Sequence, residues 1–161
     1  MLAAVLSIVI GVFQVAQTGT VIGLVKTPSG KPAQAARVVL LPPNYTDLWN
    51  RQVQQRLDSY WEEYKPDLLA NKARVPDIYR MAHSQSLRYV INTMQHELGE
   101  DASKYIKETT SNGQFEFRSV PFGTYQLLVQ AMTDGESITW SRIVDVDLNV
   151  PIFVDLGKPI S

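Results

Sequence analysis

The sequence contains no cysteine and no excess of either charge. Without cysteine the chain forms no disulfide, thiolate nucleophile or cysteine-based zinc site. Lysine and arginine total 15 against 16 aspartates and glutamates, so the net charge is −1 at pH 7. A balanced charge gives no basic surface for nucleic acid or for an anionic membrane. We therefore expect no nucleic-acid partner.

The residue patterns of common catalytic and metal sites are missing as well. The two histidines, His83 and His96, lie 13 residues apart on one predicted helix. Their side chains project about 140° apart on such a helix, so they cannot share an ion. There is no Gly-x-Ser-x-Gly motif and no phosphate-binding glycine loop. Asp145 and Asp147 share a strand face that we interpret as solvated. The sequence predicts no catalytic residue, no cofactor and no metal site.

The N-terminal stretch is apolar and carries no charge. Leu2–Ala16 is apolar except for Ser7 and Gln14. The segment resembles the apolar region of a secretory signal, and it is shorter than the roughly 20 residues of a membrane-spanning helix. Three interpretations stay open for residues 1–17. They form a cleaved signal, or a short membrane anchor or partner-docked helix, or else the start is wrongly chosen or the segment is a buried strand such as Val5–Val12. The first two predict a secreted or periplasmic protein, or one held at a membrane.

Short strands separated by turn residues dominate both ends of the chain. Asn112-Gly113 tolerates the positive φ of a hairpin turn, and Pro121-Phe122-Gly123 predicts a second reversal. About seven strands are expected, the number of a small antiparallel sandwich. They are Thr20–Thr27, Arg37–Leu41, Ile106–Thr110, a strand through Phe115 and Phe117, Thr124–Met132, Ser137–Val146 and Val150–Leu156.

The composition changes between the second and third of these strands. Residues 43–108 hold 19 of the 31 charged residues and six of the seven tyrosines, but no phenylalanine. Helical periodicity predicts one helix that starts from an N-cap at Thr46 and is ended or kinked at Pro66, with a further turn or two over Asp67–Ala73, and another helix from Pro76 to Gly99. The second helix has two apolar sides, so we expect it to pack against the first helix and against the sheet or a partner. One side carries His83, Leu87, Val90, Ile91, Met94 and Leu98, and the other carries Ile78, Met81, Ala82 and Tyr89.

Two stretches carry a family pattern. The first is Gly23–Leu41, which follows G-x-V … G-x-P-x-x-G-A-x-V-x-L with Ala35 in place of the usual glycine. The second consists of Asn112, Gly113, Phe115, Phe117, Pro121, Gly123 and Tyr125. Together they resemble a carboxypeptidase regulatory-like domain, a prealbumin-like β-sandwich, over about 20–42 and 106–157. The resemblance implies the fold and an accessory role, because the zinc domain that performs carboxypeptidase catalysis is a separate unit.

The sequence thus predicts a mainly β protein with an α insertion. Residues 18–42 and 106–161 form the antiparallel sandwich, and residues 43–105 form a helical hairpin inserted between strands two and three. We expect a non-catalytic exported interaction module, an accessory or structural subunit of an envelope or membrane-associated assembly with protein partners. The alternative is a carbohydrate-binding accessory domain that offers flat aromatic rings to a glycan. The candidate interaction surface is Trp61, Ile78, Tyr79, Met81, Tyr89 and Trp140.

Overall fold

The computed structural model describes residues 17–133 and 135–160. The predicted signal or anchor in Leu2–Ala16 lies outside them. No helix within the described part is long and apolar enough to cross a membrane. The strands are β1 (Thr18–Leu24), β2 (Arg37–Leu41), β3 (Ile106–Glu108), β4 (Gln114–Pro121), β5 (Gly123–Thr133), β6 (Glu136–Val146) and β7 (Pro151–Val154), and the helices between β2 and β3 are α1 (Pro43–Ala70) and α2 (Val75–Leu98).

The strands form two sheets. A small sheet has the strand order β4-β1-β7, and a large sheet has the order β3-β2-β5-β6. The pairs in the large sheet are antiparallel, whereas β1 pairs antiparallel with β4 and parallel with β7. The expectation of a wholly antiparallel sandwich is therefore wrong at β7. Strand patterns in the sequence do not reveal this, because alternation is the same in both kinds of pair.

Two predicted hairpin turns connect the sheets instead of neighbouring strands. Gly113 has a φ of +76°, and its N–H donates to the Thr110 carbonyl at 2.9 Å. The reversal at Asn112-Gly113 is therefore present, but β3 and β4 lie in different sheets. The same holds for β4 and β5, which Phe122 separates. A turn motif specifies where the chain reverses, and the long-range packing decides which strand becomes the neighbour.

The inner faces of the two sheets form the first core. Phe117 of β4 and Val21 of β1 are fully buried against Val38 and Leu40 of β2. Phe115 packs edge-on to Phe117, with the ring centroids 6.0 Å apart. The two-residue period that placed both phenylalanines on one face is confirmed by the alternating burial along β4.

The helices cover the other face of the large sheet and form a second core. Val39 and Leu41 of β2 and Leu128 of β5 contact this layer and are fully buried. The helices contribute Tyr45, Trp49, Leu87, Val90, Ile91 and Met94. The molecule therefore has three layers: the small sheet, the large sheet and the helical hairpin.

The helix ends differ from the predicted ones at three points. Thr46 is not the N-cap, because α1 begins at Pro43, where a proline in the first turn loses no hydrogen bond. Of the two outcomes expected at Pro66, an end or a kink, the end does not occur, because α1 continues to Ala70 and buries Leu68 beyond the proline. Helix α2 begins one residue before the predicted Pro76. It ends as expected before Gly99, whose φ is +57°.

We expect Leu128→Ala to destabilise the protein by about 2–5 kcal/mol, because it removes a fully buried side chain between the large sheet and the helices. Ile143→Ala is the control, since this β6 side chain is 64% exposed and its loss should cost less than about 1 kcal/mol. Urea unfolding followed by circular dichroism measures both. Equal losses would show that the helical layer does not seal this face of the sheet.

Candidate interaction groove on the helical hairpin

The six residues predicted to form an interaction surface separate into two groups. Trp140 retains 2% exposure because it shares the inner face of β6 with Val144 and Val146. Ile78 retains 7% exposure and lies one helical turn before the fully buried Ala82. Assigning Trp140 and Ile78 to an exposed surface was therefore wrong. The other four lie on the hairpin and are exposed: Trp61 by 43%, Tyr79 by 39%, Met81 by 37% and Tyr89 by 44%.

An open groove of about 620 Å³, here called the hairpin groove, lies along α2. Arg56 of α1 borders it, as do Gly135–Ser137 where β5 turns into β6. Two predicted surface residues, Met81 and Tyr89, line it. Helix α2 contributes eight residues, most of them spaced three or four apart and so on one side of the helix: Asp77, Arg80, Met81, Ser84, Gln85, Arg88, Tyr89 and Asn92.

One end of the groove is organised around Arg80. Its guanidinium pairs with the Asp77 carboxylate one turn earlier on α2 and with Glu136 Oε2 at 3.1 Å. The second bond links α2 to the β5–β6 turn. These groups are well exposed, so the pairs add little stability. Two carboxylates face one guanidinium, so this end of the groove has a net negative charge.

The other end is organised around Gln85. Gln85 Oε1 accepts hydrogen bonds from Arg56 Nη1 at 3.0 Å and from the Tyr60 hydroxyl at 2.6 Å. Among residues 17–133 and 135–160, neither Arg56 nor the exposed Arg88 forms a salt bridge. Two guanidinium groups without a carboxylate thus lie near the exposed ring of Tyr89, and this end of the groove is positive.

Two residues that border the groove also contain buried polar atoms without partners. Arg56 Nε and Ser137 Oγ make no hydrogen bond to the described residues. A buried donor without a partner costs roughly 1–3 kcal/mol. The buried polar atoms at these two borders of the groove are therefore less completely hydrogen-bonded than those of an ordinary protein interior.

Beneath the hairpin, His83 and Tyr45 are held in the seam between the helices and the sheet. His83 stacks on Trp49, with the ring centroids 5.7 Å apart. Burial lowers the pKa of His83, and a hydrogen bond with the Tyr79 backbone opposes this in part. Burial and a 2.8 Å hydrogen bond to Glu97 raise the pKa of Tyr45 to about 12. Both side chains are neutral parts of the packing.

The described residues contain no group of three or more histidine, aspartate or glutamate side chains that could hold a metal ion. Asp145 and Asp147 are both exposed, as the strand pattern indicated. Thr124 Oγ1 donates a 2.7 Å hydrogen bond to Asp145 Oδ1. This carboxylate is therefore engaged by a neighbouring strand.

The sequence interpretation missed most of the groove. It followed the apolar periodicity of α2 and left aside the polar residues of the same period, which include Asp77, Gln85, Arg88 and Asn92. That polar stripe was visible in the sequence. The contribution of Arg56 and of the β5–β6 turn was not, because it depends on how the layers pack.

Comparison with known proteins leaves the family of this chain open. No family model and no curated protein matches it. A solved protein from Pseudomonas aeruginosa, described as a proposed carbohydrate-binding protein, is 21% identical with a TM-score of 0.39; the alignment covers 86% of this chain and 87% of that one. The pilus backbone protein RrgB of Streptococcus pneumoniae is 15% identical with a TM-score of 0.36 over 81% of this chain, which spans 34% of that structure. Likenesses this distant carry no functional argument, and the resemblance to a carboxypeptidase regulatory-like domain stays a prediction.

His83 should make the fold sensitive to mild acid. Its pKa in the folded protein lies below the ordinary value of 6.5, so the unfolded chain takes up a proton first as the pH falls. The stability that the neutral imidazole contributes is present above pH 6.5 and is lost as the pH falls from there through the lowered pKa. We expect His83→Phe to reduce this loss and His96→Gln, a change on the surface, to keep it. Urea midpoints between pH 7.5 and pH 5 test this, and equal pH slopes for His83→Phe and the unaltered protein would contradict it.

Proposed function

We propose that this chain is a non-catalytic exported interaction module that binds a protein partner through its helical hairpin. In this proposal it is an accessory or structural subunit of an envelope or membrane-associated assembly. The observation that carries the proposal is the hairpin groove, an open surface that combines Met81 and Tyr89 with Arg56 and Arg88, which form no salt bridge with residues 17–133 and 135–160. Methionine, aromatic residues and arginine are the types enriched at protein interfaces.

The distribution of exposed aromatic residues favours the helical hairpin as the binding region, and Tyr89 lines the groove itself. Among the described residues, four large aromatic side chains are strongly exposed, and Trp61, Tyr79 and Tyr89 of these lie on the hairpin. The fourth, Phe153, lies on the small sheet. Tyrosine and tryptophan are frequent binding hot spots, because a large rigid ring buries much area at a small entropic cost.

The two sheets give this surface a rigid support. Helix α2 is anchored on the large sheet by the fully buried Leu87, Val90 and Met94. Its outer side is then free to present polar and aromatic groups in a fixed arrangement. A preorganised surface loses less conformational entropy on binding than a flexible one does.

A carbohydrate-binding role is the second candidate. The exposed ring of Tyr89 lies in an open groove beside the polar side chains of Arg88 and Asn92. A flat ring stacks on a sugar face while neighbouring polar groups bind its hydroxyls.

Photo-crosslinking tests the interaction module directly. A benzophenone amino acid replaces Tyr89 in the full chain in its native cells, and Phe153, an exposed ring on the small sheet, is the matched control. We expect one discrete protein adduct from position 89 and none from position 153, with the adduct lost when Arg88→Glu is added. Equal labelling from both positions would contradict a specific hairpin interface. The second candidate would be favoured if position 89 formed no protein adduct and the chain bound a glycan that the Tyr89→Ala variant no longer binds.

Export is tested by the intact mass of the native protein. We expect the protein in the soluble exported fraction to have the mass of a chain that lacks its first 16 or 17 residues. The reason is that Leu2–Ala16 resembles the apolar core of a signal peptide. A full-length mass in the membrane fraction would instead indicate an anchored subunit. A full-length mass in the cytoplasmic fraction would contradict export.

A further inference from the structure

We infer that the positive end of the hairpin groove binds a carboxylate side chain of the partner, and that Arg56 and Arg88 hold it. This inference rests on the proposed interaction function. It adds the chemistry of the partner: a short segment that is acidic where it meets Arg88 and polar or basic where it meets Asp77 and Glu136.

The charge distribution along the groove carries the inference. Arg80 is already neutralised, because it pairs with both Asp77 and Glu136. Arg56 and Arg88 border the same groove and have no salt-bridge partner among the described residues. A guanidinium group such as that of Arg88 binds a carboxylate through two parallel hydrogen bonds, whereas Arg56, whose Nη1 donates to Gln85 and whose Nε is buried, contributes its charge and its Nη2 donors. Two such groups lining one groove attract an acidic group and repel a basic one.

Arg56 is held in place before any partner arrives. Its Nη1 donates to Gln85 Oε1, and the Tyr60 hydroxyl fixes the same oxygen from the side of α1. Gln85 is a neutral amide, so it orients the guanidinium without removing its charge. Arg56 is also partly buried, so water screens its charge less than that of a fully exposed arginine.

The length of the groove favours a peptide segment over a single small ion. From Asp77 to Asn92 the helix rises by roughly 22 Å at 1.5 Å per residue. An extended peptide of six or seven residues covers this distance at about 3.3–3.6 Å per residue. Met81 lies between the negative and positive ends, where its flexible thioether can pack against an apolar side chain of the same segment.

Arginine-detected NMR of the full chain tests the inference with defined probes. Acetylated hexaglutamate amide is titrated while the Nε–Hε signals of the arginines are followed, and acetylated hexalysine amide serves as the opposite charge. We expect hexaglutamate to shift the Arg56 and Arg88 signals and hexalysine to leave them unchanged. Arg88→Gln should weaken hexaglutamate binding about tenfold, as the loss of a charge-assisted hydrogen bond does. Arg51→Gln, an exposed arginine of α1 outside the groove, should not weaken it.

Each other outcome overturns the inference in a distinct way. Equal loss of binding in Arg88→Gln and Arg51→Gln would show a diffuse charge effect without a site. Stronger shifts with trigalacturonate than with hexaglutamate would assign the site to an acidic sugar instead of a peptide. If position 89 forms its protein adduct while hexaglutamate shifts neither arginine signal, the carboxylate inference is wrong and the interaction module stands. If neither occurs, the interaction module is wrong as well.

Discussion

The large sheet has two apolar faces, and both must be covered. In β2 the four residues Val38–Leu41 are fully buried, and in β5 so are the three residues Leu127–Val129. Alternate side chains point to opposite faces, so a run of this kind cannot lie against solvent on either side. The small sheet covers one face, and α1 and α2 cover the other. The hairpin is therefore required to complete the fold, although it interrupts the chain between two strands.

This constraint explains what the sequence could and could not predict. Local patterns specified most strands, the two helices and the inward direction of Phe115 and Phe117, because these depend on period and turn residues. The continuous apolar run of β2 also implied cover on both faces, which leaves the sheet as the natural surface for α2. The parallel pairing of β7 with β1 depends on contacts between residues distant in sequence. So does the placement of β3, β4 and β5, whose connecting turns lead from one sheet to the other. Local propensity contains no information about them.

The candidate groove shows the same division between local and long-range information. The polar stripe of α2 follows from helical spacing, so Asp77, Gln85 and Arg88 could have been grouped from the sequence. Trp140 was assigned to a surface because aromatic residues are common at interfaces, but its strand period pairs it with Val144 and Val146, which are buried. For Trp140 the alternation along the strand therefore predicts burial correctly, whereas the residue type does not. Arg56 and Glu136 enter the groove only through tertiary packing, one from α1 and the other from the β5–β6 turn.

The two sides of the helical layer are not held equally. At Val39 and Leu41 of β2 and Leu128 of β5 the two helices contact apolar side chains, and each Å² of apolar surface buried there contributes roughly 25 cal/mol. Much of the rest of this face of the sheet presents polar groups instead, which are Gln126 and Gln130 of β5 and Ser137, Thr139 and Ser141 of β6. Several of their polar atoms, with Ser86 Oγ of α2, lack a hydrogen-bond partner among the described residues. Polar contacts of this kind contribute little net stability, so the polar part of the face, which includes the border with β6, holds the helices less strongly than the apolar part. The groove lies along that border, where Arg80 and Glu136 join α2 to the turn. Most of the groups that line the groove are therefore polar and at least partly exposed, and the fully buried Leu87, Val90 and Met94 on the other side of α2 hold them in place.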